Sequence, residues 1–218
     1  MKRKFSLLIG IIFILSMLLM SIGPVAASDE SSVDWSDPVV LQSLYEKVKN
    51  AEDPDKSFAE LSPEAQEALV ESLTKLTYEI TVTGDSPGKS ARNGLMATLE
   101  RLANGSMTLG GGTKAVTVTL RAYSWPFHTL IFSFSQRIQW SYDGVYVTAV
   151  QDHHSWGEAS WPWSYQGLIG EFESGGAGHT YFLRFSQGKF TLNLFGLPVM
   201  TMTPAIIMWV YGDGSFSY

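Results

Sequence analysis

The chain has 218 residues, 45% of them hydrophobic and 13% aromatic, with only 17% charged and a net charge of −6. That composition excludes a disordered chain or a collagen-like fibre, and the acidic balance argues against a nucleic-acid partner. The sequence contains no cysteine, which removes disulfides, thiolate metal sites and a Cys nucleophile.

Residues 1–27 read as a secretory signal. Lys2, Arg3 and Lys4 form a basic end, Phe5 to Ile22 form an apolar run, Pro24 breaks the helix, and Val25-Ala26-Ala27 offers small residues for cleavage after Ala27. Cleavage removes three basic residues and takes the net charge from −6 to −9. The expected location is outside the cell or on its surface. An exported chain without disulfides depends on its apolar core for stability.

Residues 28–112 carry 15 acidic and 7 basic side chains and read as a mainly helical region. Asp37-Pro38 gives a cap followed by Pro at the first helical position, with Val40, Leu41, Leu44, Tyr45 and Val48 on one face. Ser62-Pro63-Glu64 repeats the signal ahead of Ala65, Leu69 and Leu73. Ser90 starts a third pattern with Leu95, Leu99 and Leu102, closed by Asn104-Gly105. Between the second and third, residues 76–83 alternate apolar and polar without a slip and predict a half-buried strand. Gly110-Gly111-Gly112 marks the junction to the next region.

Residues 113–218 hold six of the seven tryptophans and all four histidines and read as an aromatic-rich antiparallel β domain. Val116, Val118 and Leu120 alternate with Thr117, Thr119 and Arg121. Asp143-Gly144 predicts a hairpin with both turn residues at positive φ. Gln187-Gly188 predicts a second turn, between strands at 181–186 and 190–194. Ala205 to Tyr211 is apolar almost throughout and predicts a strand covered on both faces. The expected fold is α+β, an N-terminal helical part packed on an antiparallel β-sandwich or partly closed barrel.

The segment from Asp152 to Tyr165 concentrates the candidate chemistry. Extended, residues 161–165 place Trp161, Trp163 and Tyr165 on one face at intervals of about 6.6 Å, a spacing suited to stacking on sugar rings. Pro162 favours an edge or loop, where rings stay accessible; core packing is the competing destination for such rings. With Trp156, these residues form the expected binding set. Asp152 and His154 share a strand face and could ligate a metal with Glu158, His179 or His128, although no zinc spacing motif is present. No cofactor is expected. Glu158 with Glu171 or Glu173 offers carboxylates for glycoside cleavage, and the G-x-S-x-G elbow is absent. The uncharged run from Tyr123 to Phe132 lacks a basic stripe, so no membrane role is expected beyond the export signal.

The functional expectation is therefore a secreted or cell-surface binding or structural protein, not an enzyme, whose exposed aromatics recognise an extracellular glycan, cell-wall polymer or protein. The alternative is an extracellular hydrolase built on the Asp152–Glu158 neighbourhood, with or without a metal.

Overall fold

A computed structural model describes residues 33–84 and 110–218. The signal segment 1–27 and the third helical pattern at 90–105 lie outside the described residues. The chain divides into two compact units, one ending at Glu71 and one starting at Ser72.

Three helices occupy the first stretch. Helix α1 (Pro38–Lys49) starts where the Asp37 carboxylate accepts the Val39 N–H at 2.8 Å, and Lys47 and Lys49 stand in its last turn. That pairing of an acceptor at the start with cations at the end complements the helix dipole. Leu41, Tyr45 and Val48 are its buried residues. A short α2 (Pro54–Ala59), not anticipated above, uses the same device: Asp53 accepts the Lys56 N–H at 3.0 Å. In α3 (Pro63–Thr74), Ser62 accepts the Ala65 N–H at 3.3 Å. Among the described residues no helix is long and apolar enough to cross a membrane.

The second unit is two packed antiparallel sheets. The first has the order β1-β2-β3-β4, from β1 (Leu76–Gly84), β2 (Gly112–Ser124), β3 (Leu130–Tyr142) and β4 (Val147–Ala159). The second runs β5-β6-β8-β9, from β5 (Trp163–Gly175), β6 (Tyr181–Leu194), β8 (Ala205–Tyr211) and β9 (Phe216–Ser217), with β7 (Leu197–Met202) paired to β6. The expected strand at 76–83 is β1, and it pairs with β2 along its whole length, but it is not half-buried: Tyr78 and Ile80 on its apolar face are exposed, because this edge strand runs past the core.

Alternation decides which side chains meet between the layers. Phe132, Phe134, Gln136, Ile138 and Trp140 of β3 are all buried and share one parity. Phe132 stacks on Phe190 of β6 at 4.3 Å between centroids. Polar side chains also cross the layer; among them, Trp140 Nε1 donates to the Tyr211 carbonyl at 3.1 Å and Gln136 Nε2 to the Arg184 carbonyl at 3.1 Å.

Three sequence expectations need correction. The turn after β3 is a hairpin, but only Gly144 of the pair sits at positive φ (101°). The Asp143 carboxylate instead accepts the N–H groups of Val145 and Tyr146 at 2.9 and 2.7 Å, making a wider loop. Gln187-Gly188 is no turn, because β6 runs straight through it. A side chain at Gly188 would meet the Phe134 ring at 2.8 Å, so glycine serves close aromatic approach there. Strand β8 is covered on one face only: Ile206, Met208 and Val210 are buried while Ile207 is 49% exposed.

Candidate functional site

The face of the first sheet that points away from the second is a polar grid. Strand register aligns Glu79, Arg121, Ser133 and Glu158 in one cross-strand row and Thr81, Thr119, Ser135 and Trp156 in the next. A third row holds Thr83, Thr117, Arg137 and His154, and a fourth Ala115, Gln139 and Asp152. The composition follows from strand period: the inward residues of β2 and β3 are mostly apolar, among them Val116, Val118, Phe132, Phe134, Ile138 and Trp140, and the opposite parity is left mainly to Thr, Ser, Arg and Gln.

Hydrogen bonds tie the grid together across the strands. Thr119 Oγ1 lies 2.9 Å from Ser135 Oγ, and Arg121 donates to Thr81 Oγ1 at 3.2 Å. Asp152 is the hub of the β3–β4 side, accepting from Arg137 Nε at 3.2 Å and lying 2.9 Å from His154 Nδ1. The His154 ring in turn packs on Trp156, 5.0 Å between centroids and tilted by 33°. Arg137, Asp152 and His154 remain 37%, 43% and 52% exposed along their side chains. Beside them the face sinks into a groove of about 350 Å³ lined by Thr83, Thr113, Thr117, Arg137 and Gln139.

The Asp152 carboxyl is held below the usual carboxylate range, chiefly by its hydrogen bond with His154, then by the charge of that residue and by Arg137, with desolvation opposing. A folded-state value below the unfolded value of about 3.9 stabilises the fold above that pH and loses the contribution as pH falls through the lowered value. The gap in melting temperature between the native protein and Asp152→Asn is therefore expected to close as the pH falls below about 5. Acid-titrated calorimetry of both proteins checks this; a gap that widens in acid contradicts it.

The structure separates the four expected aromatics. Trp156 is half-buried on the outer face just described. Trp163 is 4% exposed, with its ring 5.4 Å from Phe132, so it is core and cannot serve as a ligand platform. Tyr165 shares Trp163's inward face, its ring 5.0 Å from Phe190, where Gly157 leaves the space for it. Burial, then the Glu171 charge, raises its phenol pKa. Trp161 is half-buried in the turn before β5, outside the strand that was to align it with the others. The physical reason is that the turn at Trp161-Pro162 delivers the chain to the second sheet, and Trp163 and Tyr165 take the parity that faces the core.

Asp152 and His154 do meet, as their i, i+2 spacing predicted. Among the described residues no set of three or more His, Asp or Glu is placed to hold a metal. His128 lies 3.6 Å from Glu79 and stacks on Tyr123, while the exposed His179 sits in the loop between β5 and β6. Glu158 belongs to the outer grid, whereas Glu171 and Glu173 both bind Arg184 between the sheets, so these carboxylates do not face a common substrate.

Sequence reasoning missed Arg137, Gln139 and the threonines of β1 and β2. Their signal was the mainly polar parity of three strands, visible once those strands are known to be neighbours. Comparison with protein families, curated proteins and solved structures gives no match.

Proposed function

We propose that this chain is a non-enzymatic binding protein, secreted or held at the cell surface, that recognises a polyhydroxylated polymer such as an extracellular glycan or cell-wall polymer. The binding surface is the open part of the outer grid around Arg137, Asp152, His154 and Trp156, since Ser133 and Ser135 in the first two rows are buried. One observation carries the reading: an indole, Trp156, stands beside a hydrogen-bonded Asp152–His154–Arg137 set that opens onto a threonine-lined groove. A sugar polymer presents flat C–H faces ringed by hydroxyls. Its recognition calls for an aromatic ring to cover the apolar face and for mixed donors and acceptors to meet the hydroxyls. The grid supplies both, and its charges are arranged in both signs, which suits a neutral ligand better than a phosphate-rich one. The apolar segment at residues 5–22 and the small residues before Ser28 support an extracellular workplace.

The test is co-sedimentation of the purified protein with peptidoglycan and with chitin. The native protein is expected on at least one of them. Trp156→Ala is expected to weaken retention about tenfold, equivalent to about 1.4 kcal/mol, with an unchanged melting temperature. Retention on neither polymer, or undiminished retention of the variant, overturns the reading.

A further inference from the structure

The outer face of the second sheet has the opposite chemistry. Register aligns Phe172, Phe185 and Ile207 in one row across β5, β6 and β8. Leu183 lies beside Trp209 in the next row, and Tyr181 beside Tyr211 in the third. Phe172 is 57% and Ile207 49% exposed, and the other five are half-buried. The Tyr181 and Trp209 rings lie 5.3 Å apart. The charged residues of these strands are turned away from this face, since Glu171, Glu173 and Arg184 interact on the inner side. Only Lys189, toward the far end of β6, shares the outer parity.

We propose that this face binds a second copy of the chain, face to face about a two-fold axis. Three physical arguments select that occupant. The three apolar rows carry no charge, with Lys189 lying past the Gln187 rim, so they exert no electrostatic preference for a charged partner and little repulsion on their own copy, despite the acidic chain. Antiparallel sheet faces pack on one another at about 10 Å with side chains interdigitating, so a second copy of the same sheet can cover this one. The third argument is area. With roughly 100 Å² open on each of Phe172 and Ile207 and about 50 Å² on each of the other five, one copy offers on the order of 450 Å². Two copies with their polar rims of Ser174, Gln187 and Ser217 bury about 1,000 Å², where specific interfaces begin. An interface of that size makes a concentration-dependent dimer, and a two-fold axis closes it so that no filament grows.

Sedimentation velocity of the purified protein, from about 1 μM to about 500 μM, tests the proposal. The native protein is expected to shift from monomer to dimer across that range. Ile207→Lys, which places a charge at the middle of the face, is expected to raise the dimer dissociation constant at least tenfold while keeping the native near-ultraviolet dichroism. Phe172→Lys on the neighbouring strand serves the same purpose if Ile207→Lys fails to fold, and Ile207→Val is expected to dimerise normally. A native protein that stays monomeric throughout overturns the proposal, as does dimerisation indifferent to both lysine variants. Phosphatidylcholine vesicles provide the other arm: a monomer that floats with them through the same residues assigns the face to lipid and also overturns it. None of these outcomes depends on polymer retention by the first sheet.

Discussion

Neutralising Glu171 and Glu173 together, as E171Q/E173Q, is expected to lower the unfolding free energy by about 3–5 kcal/mol. Arg184 is 6% exposed and sits between the sheets, with one nitrogen bonded to each carboxylate. Glu173 also lies 3.1 Å from His153 Nε2. A second polar set meets the Arg184 backbone: Gln136 donates to its carbonyl and accepts from Ser186 Oγ, to which Ser155 Oγ donates at 2.9 Å. Removing both negative charges leaves a positive charge out of water with no counterion, which costs far more than the ion pairs themselves contribute. Adding Arg184→Met to the double variant is then expected to restore most of the loss, because an unbranched apolar chain suits the space beside Phe182. Urea midpoints at constant slope measure the cycle. If the triple variant is less stable than the double, the buried charge is not what the carboxylates compensate.

Trp140→Ala is expected to cost a similar amount, about 3–5 kcal/mol. Trp140 is fully buried, the largest side chain in that state, and its indole N–H spans the layer to the Tyr211 carbonyl. The alanine variant combines lost apolar burial, a cavity and a lost hydrogen bond. Trp140→Phe keeps much of the volume and separates these contributions: about 1 kcal/mol is expected from the missing hydrogen bond, with the remainder set by the smaller ring. Thermal unfolding of both variants reads the difference. Equal losses in the two would mean that packing at this position contributes little.

The helix starts were legible because capping is local. Asp37-Pro38 and Ser62-Pro63 each satisfy N–H groups within three residues, and no distant contact is needed to see it. Asp53-Pro54 carried the same signal and begins a helix of only 6 residues, too short to show an apolar period. Gln187-Gly188 misled because a glycine that admits a neighbouring ring looks, in one dimension, like a glycine that turns the chain. The aromatic cluster at 156–165 was also seen as a cluster without its sides being known. Trp156 faces outward from the first sheet and Trp163 inward from the second, a difference made by the single crossing at Trp161-Pro162.

From the amino-acid order alone came the features whose causes span a few residues: the capped helices, the alternating strands and the pairing of Asp152 with His154. Which strands became neighbours was decided only in the folded molecule, since register joins residues far apart in the chain. That pairing turned scattered threonines, serines and two arginines into one polar face, and it left Phe172, Phe185 and Ile207 as one apolar face. A strand's period states that two faces differ; only the packing of sheet on sheet determines which of them meets water.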